Sequence, residues 1–566
     1  MIALASCSRE TIEVITPEMS TSYAKISISM ASAPGTRADW GYEGEFDNGT
    51  QAESNMALED IHLVFYDDNG FVVGSGKHIT TALDEGFSIA TDPRTGTESV
   101  SDENAVVFQL DLNEGAPLPT KVAAFINVDP MTFNLDKISD IMTNVSKVYK
   151  TDKGYIMTSA GYYNEEGEYV IAAELNSDAI FTTISQAADA GATKAADIYV
   201  ERLAAKVSID ASKEKEVDQK NQKFIVKNPD GEVLTVKFSA NDFNWGITGT
   251  AKAMYMLKQP FDNTDTWMNG KFRSYWAKGA NWGTEYNDYL PEDGDPVLNY
   301  LSYNAIVEEG NKNGEVDYAL EHTYDYSKLK VAPLFNVNVP TTSAIVIGTY
   351  EISNGNTTIN FDEKGFYLLY AGTEDGKSLF TLYNREELII YLVNGKTIYD
   401  ENGEEVEDFS LTKVGTQFKL VASDWSAKID SGECTSTTLY TDPEQKNEVA
   451  KTNARHYVMS MGYFFVPIEH HATSTETKEG VIEPITGYYG VVRNHSYVLT
   501  ISAIQGLAAP LDDKYTDKGD EFDPEDPDEG DPDEPIIPDP DDLKEAYIQA
   551  SIKVLSWHVV NQDVKL

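Results

Sequence analysis

The sequence predicts an all-β protein with minor helices, built from β-sandwich domains. Two observations lead to this fold class. Many short apolar segments are separated by Gly, Asn and Asp turns, and no strand–helix–strand rhythm of a parallel sheet is evident. Hydrophobic residues make up 41% of the 566 residues and aromatic residues 11%, which is typical of a globular chain with enough length for about two to four domains.

The first domain is predicted over residues 38–211. Ile61–Tyr66 and Phe71–Gly74 flank the turn sequence Asp-Asp-Asn-Gly and predict a β-hairpin. The domain continues with strands at 106–110 and 121–128, a short helix or helical connection within 131–148 and an Ala-rich loop at 187–196. A strand from Ile198 to Ile209 is expected to close the domain.

A second sandwich with insertions is predicted over residues 212–511. Its candidate strands are Val233–Phe238, Thr342–Tyr350, Gly365–Tyr370, Glu387–Tyr391 and Ser496–Ile501. The segment from Trp245 to Tyr300 is rich in Trp, Tyr, Asn and Gly and indicates an elaborated loop or an inserted subdomain. Its aromatic residues could stack on sugar rings, but core or interface packing is the commoner explanation.

The C-terminus is predicted to be a linker followed by a lone strand. Residues 512–544 are acidic and rich in proline, which favours an extended, stiffened linker. In residues 545–566, one face of the predicted strand carries Ile548, Ala550, Ile552 and Val554, and Trp557 follows. A lone strand is not stable in water. It therefore either folds back onto its own domain or completes a neighbouring molecule.

Residues 1–37 are predicted to be a lipoprotein signal remnant and a propeptide strand. Leu4-Ala5-Ser6-Cys7 has the pattern of a bacterial lipobox, so Cys7 is the expected lipidation site. A complete signal peptide would add a basic region and a longer apolar segment, so we expect the start to be truncated or mis-assigned. Ile26, Ile28 and Met30 alternate with polar residues and predict a strand with one buried face.

Charge and cysteine content restrict the function classes. The chain has 93 acidic and 44 basic residues, a formal net charge of −49, which argues against binding to nucleic acid or to anionic lipid. We interpret the charge as a soluble, self-repelling surface. Cys7 and Cys434 are the only cysteines, so the domains are expected to depend on hydrophobic cores rather than on a disulfide framework.

We find no catalytic signature in the sequence and expect no enzyme, no catalytic residues, no cofactor and no metal site. The nucleophile elbow, the zinc-protease motif and the phosphate-binding glycine patterns are all missing. Glu469-His470-His471 is the one histidine cluster, and adjacent side chains of a strand point to opposite faces, which makes a shared metal difficult.

Several segments together resemble the fimbrillins of the Bacteroidales, the subunits of type V pili, and most resemble the shaft subunit of the minor fimbriae. The matching segments are the lipobox, Ile26–Met30, Thr36–Ala38, Lys121–Pro130, Val200–Lys206, Arg493–Ile501 and the acidic linker with Val554–Trp557. Residues from about 260 to 450 diverge. The resemblance implies transthyretin-like or Ig-like sandwiches and a pilus subunit that supports adhesion.

The resemblance also implies a mechanism. Lipid on Cys7 carries the precursor to the outer membrane, and a trypsin-like maturation protease cleaves between Arg37 and Ala38. Release of the propeptide strand opens a groove, and the C-terminal strand of an identical or related subunit fills it head to tail, with Ile548, Ala550, Ile552, Val554 and Trp557 as donor residues. The alternative is a monomeric outer-membrane lipoprotein that binds glycan or protein.

Overall fold

The structure is a computed structural model that describes residues 20–30, 46–47, 57–86, 105–113, 115–130, 133–134, 136–164, 166–189, 191–211, 217–261, 269–270, 273–284, 297–325, 341–415, 417–470, 476–478, 481–483, 487, 489–511, 532–536 and 548–557. Its helices are α1 (Ile138–Thr143), α2 (Ile184–Ala187), α3 (Tyr303–Val307), α4 (Arg385–Val393) and α5 (Trp425–Ser431). The prediction of an all-β sandwich protein with minor helices is confirmed.

Fifteen of the described strands come before Leu203 in the chain, where the fold divides into two halves. They are β1 (Ser20–Met30), β2 (Phe46–Asp47), β3 (Ile61–Tyr66), β4 (Val72–His78), β5 (Ala105–Leu112), β6 (Lys121–Ile126), β7 (Val145–Ser146), β8 (Lys150–Thr151), β9 (Gly154–Tyr155), β10 (Met157–Ser159), β11 (Tyr162–Tyr163), β12 (Tyr169–Val170), β13 (Ala173–Glu174), β14 (Ile180–Phe181) and β15 (Ala196–Arg202).

The remaining described strands form the second half. They are β16 (Ala204–Asp210), β17 (Phe224–Lys227), β18 (Val233–Thr248), β19 (Thr250–Ala251), β20 (Met254–Tyr255), β21 (Asn269–Gly270), β22 (Arg273–Ser274), β23 (Leu298–Asn299), β24 (Val316–Leu320), β25 (Ser343–Asn354), β26 (Thr357–Ile359), β27 (Phe366–Glu374), β28 (Lys377–Tyr383), β29 (Ile398–Tyr399), β30 (Glu405–Val406), β31 (Phe409–Val414), β32 (Gln417–Ala422), β33 (Thr452–Asn453), β34 (Arg455–Tyr457), β35 (Met461–Pro467), β36 (Glu476–Lys478), β37 (Val481–Glu483), β38 (His495–Ile504), β39 (Ala509–Pro510) and β40 (Ile548–Trp557).

The first sheet closes on itself around an apolar core. Its strand order is β10-β15-β1-β5-β4-β3-β6-β13, with β14 also paired to β1. Closure arises because β10 pairs with both β15 and β6. The core contains Ile26 and Ile28 of β1 together with Phe65, Phe108 and Val200. The N-terminal strand is therefore an interior strand of this sheet.

The predicted hairpin is present as β3 and β4, which pair antiparallel. The Asp67 carboxylate accepts hydrogen bonds from the backbone N–H groups of Asn69 and Phe71, both at 2.9 Å. Gly70 adopts a φ of 76°, a left-handed conformation that glycine tolerates without steric cost. The turn chemistry and the apolar flanks thus specify this hairpin locally.

The second sandwich packs a nine-stranded sheet against a five-stranded sheet. The larger has the order β34-β27-β28-β17-β18-β25-β35-β39, with β26 on β25, and the smaller has the order β2-β40-β38-β16-β24. One core joins them and includes Val207, Trp245, Val346 and Leu499. Trp245, from the predicted aromatic loop, lies on β18 and is fully buried, so it is a core residue.

The segment predicted as one closing strand, Ile198 to Ile209, is two strands in different sheets. β15 pairs with β1 and β10 in the first sheet, whereas β16 pairs with β24 and β38 in the second sandwich. Before Leu203 the even-numbered residues Ile198 and Val200 point into the first core, and after it the odd-numbered residues Val207 and Ile209 point into the second. This change from even to odd positions occurs at Leu203. The sheets therefore separate at Leu203, earlier than the expected boundary at residue 211.

The candidate strand Glu387–Tyr391 is wrong, because these residues belong to helix α4. The Asn384 side chain accepts a hydrogen bond from the Glu387 N–H, and the Glu387 carboxylate accepts one from the Asn384 N–H, both at 2.9 Å. This capping box fixes the helix start, and Leu388 and Leu392 bury one helix face. The helix packs with β31 and β32 over Tyr367 of β27.

Part of the acidic linker is docked rather than extended away from the fold. Ile536 is fully buried, and its N–H donates to the Leu301 carbonyl at 2.9 Å. Asn304 of α3 donates to the Asp533 carboxylate at 3.0 Å. Residues 532–536 are therefore anchored beside α3, while residues 512–531 and 537–547 lie outside the described residues.

Candidate functional site

The candidate site is the position that β1 (Ser20–Met30) occupies in the first sheet, between β5 on one side and β14 and β15 on the other. We call this position the seat of β1. β1 runs antiparallel to β5, with register partners from Ser20 and Leu112 to Ser27 and Ala105. On its other edge β1 runs parallel to β15, from Ile26 and Ala196 onward, and pairs earlier with β14. Both edges of β1 are hydrogen-bonded, so its removal would leave two unpaired edges facing one gap.

Both faces of β1 are buried, which differs from the expected single buried face. Ala24, Ile26 and Ile28 are completely buried in the core of the first sheet. On the opposite face, Lys25 and Ser27 are also buried. The Ser27 hydroxyl donates to the carboxylate of Asp197 on β15. A strand covered on both faces is an integral part of the sheet and not a loosely attached arm.

The segment 176–195, which we call the strap, borders β1. It contains a short 3-10 helix (Ser177–Ala179), β14 and α2, and α2 lies next to β1. At its end the Ala195 N–H donates to the Lys25 carbonyl at 2.7 Å, and the Ala195 carbonyl accepts from the Asn176 N–H at 2.7 Å. Of the predicted Ala-rich loop at 187–196, Ala187 ends α2 and Ala196 begins β15, and the described residues between them complete the strap.

The processing residues lie outside the described residues. These are Cys7, Arg37 and Ala38, and for Met30 the structure describes the backbone of β1 only. The Arg37–Ala38 junction lies in sequence between Met30, which ends β1 in the first sheet, and Phe46, which begins β2 in the second sandwich. A cut there would sever β1 from every later strand of the chain.

The C-terminal strand β40 pairs with its own second sandwich in this structure. It runs antiparallel to β38 from His495 and Ser556 to Ile504 and Ile548, with a bulge between Ile501 and Ala503. Its end also pairs in parallel with β2. The predicted donor residues Ile548, Ala550, Ile552, Val554 and Trp557 all lie on this strand. Of the two arrangements left open by the sequence, the structure has the fold-back.

One buried ion pair joins the two halves of the fold, and a second lies within the second half. The Lys258 ammonium lies 2.9 Å from the Glu201 carboxylate of β15, and both side chains are inaccessible to solvent. Arg493, just before β38, lies 2.9 Å from Glu321 and is equally buried. Burial raises the pKa of Tyr169 well above its usual value, and its hydroxyl donates to the Lys258 carbonyl at 2.6 Å.

An apolar cluster surrounds this junction and contains residues of both halves, among them Phe125, Ile156, Met254 and Leu320. β20 also pairs with β7 across the junction. Interfaces between domains that are apolar and extensively bonded permit little relative motion. The seat of β1 and the ladder of β40 are therefore held in a fixed relation through the described residues.

Four of the described histidines are buried in the interior, namely His322, His456, His470 and His495. His470 forms a hydrogen bond with the Tyr497 hydroxyl at 2.8 Å and its ring lies tilted against Trp276, while His471 lies outside the described residues. Burial lowers the pKa of His322 to about 4. Within the described residues no three potential ligands are grouped to hold a metal ion, and no helix there is long and apolar enough to cross a membrane.

Sequence reasoning missed the strap and Asp197. Asp197 follows Ala196 at the start of β15 and accepts from both Ser27 and Lys194, the latter at 2.9 Å. Its spacing of three residues from Lys194 is a local signal that the sequence does contain. The partnership with Ser27 spans 170 positions and could not be read from a pattern.

A comparison with protein families matches residues 455–563 to the C-terminal region of the major fimbrial subunit protein type IV, fimbrillin. This part of the chain is similar to the C-terminal region of fimbrillins. It runs from β34 to beyond β40 and so contains both β38 and the strand that pairs with it. The match supports the fimbrillin family for the chain.

Three solved structures resemble this chain, each at 10% identity. A fimbrillin (FimA) from Porphyromonas gingivalis covers 97% of this chain over all of its own length with a TM-score of 0.37. A proposed cell adhesion protein from Parabacteroides distasonis covers 96%, over 99% of its own length, with 0.33. The tip fimbrial protein Mfa3 from Porphyromonas gingivalis covers 94%, over all of its length, with 0.28.

At these low TM-scores the structural matches carry no weight in the assignment, which rests on the sequence match over residues 455–563. A comparison with curated protein sequences found no match.

Proposed function

We propose that this chain is a non-enzymatic structural subunit of a bacterial surface pilus, most like a shaft subunit, that supports adhesion. Its precursor is exported as a lipoprotein through Cys7, anchored in the outer membrane and processed after Arg37 by a trypsin-like protease. Subunits then polymerise head to tail by strand exchange. The fimbrillin match over residues 455–563 supports the pilus assignment.

The interior position of β1 is the observation that carries the exchange mechanism. A strand that precedes the proposed cleavage site fills the gap between β5 and β15, and its Ile26 and Ile28 are buried in the core. Its loss exposes two rows of backbone hydrogen-bonding groups and an apolar trough, at roughly 25 cal/mol per Å² of apolar surface. A strand from another subunit restores both, which gives a strong driving force for assembly.

Head-to-tail addition continues without limit when the donor and acceptor surfaces lie on different parts of one subunit. Here the acceptor is the first sheet and the donor is β40, which belongs to the second sandwich. The acceptor and the donor of one subunit are therefore separate surfaces, and each subunit can engage two neighbours. This geometry favours a filament over a closed dimer.

A monomeric glycan- or protein-binding lipoprotein is the second candidate function. The observation that favours it is the pairing of β40 with β38 of its own chain, which leaves no strand for a neighbour. The two functions differ in whether β40 leaves this ladder after cleavage. A binder keeps its lipid and its fold-back, whereas a pilus subunit loses both.

Limited trypsin treatment of the purified precursor distinguishes the two functions. We expect cleavage after Arg37 and a ladder of oligomers on mild SDS gels. An Arg37→Ala variant is the matched control and should give no ladder, as should a variant that lacks residues 545–566. Cleavage at Arg37 with only monomers in every sample would show that the strand-exchange function is wrong.

A further inference from the structure

The seat of β1 discriminates side-chain size along its length. Ala24 is fully buried, and its register partners on the two sides are bulky, Phe108 on β5 and Ile180 on β14. Ile26 has the smaller partners Val106 and Ala196. Extra methylene groups in a well-packed core are destabilising. A strand that occupies the seat of β1 therefore needs a small residue at the position of Ala24 and a larger, branched residue at the position of Ile26.

The C-terminal strand carries this size pattern in its sequence. Residues 24–28 read Ala-Lys-Ile-Ser-Ile, and residues 550–554 read Ala-Ser-Ile-Lys-Val. When Ala550 takes the place of Ala24, Ile552 takes that of Ile26 and Val554 that of Ile28. A shift by two residues instead places Ile548 between Phe108 and Ile180 and puts alanine where Ile26 was. That shifted register overfills one position and leaves a cavity at the next.

The Asp197 carboxylate, on the face of the sheet opposite to Ile26, favours the same register. Ser27 and Asp197 are register partners of the parallel β1–β15 pair, and the Ser27 hydroxyl donates to the Asp197 carboxylate. In the alanine-matched alignment Lys553 takes the place of Ser27. Its ammonium then comes beside the Asp197 carboxylate, which lies 2.9 Å from the Lys194 ammonium in this structure. Hydrogen bonds between charged partners are stronger than those of a hydroxyl.

We propose that the groove left by residues 20–30 binds the C-terminal strand of a second copy of this chain with Ala550 at the position of Ala24 and Lys553 beside Asp197. This inference rests on the proposed function and adds the register and its two determinants. The incoming strand runs parallel to β15 and antiparallel to β5, as β1 does. Residue size fixes the register, and the Asp197 charge strengthens it.

Cysteine cross-linking measures the register directly. Full-length Asp197→Cys protein is mixed with full-length Lys553→Cys protein, with both native cysteines replaced by serine, and the mixture is cleaved with trypsin under mild oxidation. Directly paired Cα atoms lie within disulfide distance, whereas a two-residue displacement does not. We expect disulfide-linked dimers about tenfold faster than with the matched controls Ser551→Cys and Leu555→Cys. Mixtures left uncleaved should give none.

The outcomes separate this inference from the function on which it rests. Faster cross-linking through position 551 or 555 would overturn the register while strand exchange stands. Cleaved protein that forms neither ladders nor cross-links at any of the three positions would overturn the proposed function itself.

A larger side chain at position 550 is a second test, because it should change the rate of ladder formation in opposite directions in the two registers. In the proposed register Ala550→Ile collides with Phe108 and Ile180 and slows ladder formation about tenfold. In the register shifted by two residues the same change refills the place of Ile26, so ladders would form faster and the proposal would fall. Thermal unfolding of the uncleaved variant, in which residue 550 pairs with Ile501, shows whether the monomer itself is intact.

Discussion

The buried Lys258–Glu201 pair gives a sharp prediction for the junction between the two halves. The Lys258 ammonium lies 2.9 Å from the Glu201 carboxylate with no solvent access to either, and it also donates to the Ser274 carbonyl at 2.7 Å. Lys258→Met removes the cation and leaves a buried carboxylate without its counter-charge. Breaking such a pair costs about 3–5 kcal/mol of unfolding free energy.

Urea unfolding followed by tryptophan fluorescence and circular dichroism measures this loss. Lys227→Met is the matched control, because Lys227 lies 2.6 Å from Glu374 in a pair that is partly open to solvent. Exposed pairs contribute about 0–1 kcal/mol, so the control should stay close to the unchanged protein. Replacing both Lys258 and Glu201 by apolar residues should recover at least part of the stability. Equal losses in the two lysine variants would refute the reasoning.

Three further predictions concern the interior and the linker. Burial lowers the folded-state pKa of His322 from 6.5 to about 4. Below pH 6.5 the unfolded chain therefore binds a proton that the folded chain does not, and the free energy of unfolding falls by up to about 3 kcal/mol as the pH drops toward 4. In a His322→Gln variant the urea midpoint should change less between pH 7 and 4.5. Asn384→Ala removes the helix cap and should cost about 1 kcal/mol in the same assay, and a loss near zero would contradict the capping role. Ile536→Ala should release the docked linker and speed proteolysis at residues 532–536, with an unchanged cleavage rate as the contrary result.

Local chemistry explains the parts of the fold that the sequence predicted. The β3–β4 hairpin follows from Asp67 and Gly70, whose hydrogen bonds and φ angle depend on neighbours within four residues. The apolar residues of Glu387–Tyr391 favour a strand when taken alone, whereas Asn384 and Glu387, three residues apart, form the capping box that begins a helix. Short apolar runs do not distinguish helix from strand by themselves.

Long-range pairing explains what could not be predicted. The change of sheet at Leu203 depends on which core each strand enters, and Asp197 meets Ser27 only once β1 lies beside β15. The position of β40 was open for a further reason. The same strand can pair with β38 of its own chain or with another sheet, since either arrangement satisfies its backbone hydrogen-bonding groups.

The docked residue Ile536 also limits how far apart two linked subunits can stand. Between its anchor beside α3 and Ile548 at the start of β40 lie 12 backbone steps, which span at most ~40 Å when fully extended. If the anchor holds during assembly, the inserted strand must begin within this distance of α3 in the donor subunit, and not within the longer reach of the whole acidic segment. Release of Ile536 would move the upper bound to the end of the second sandwich at Leu511, roughly 37 steps or ~125 Å from Ile548. One apolar contact would then limit how far the groove of the next subunit lies from the donor subunit.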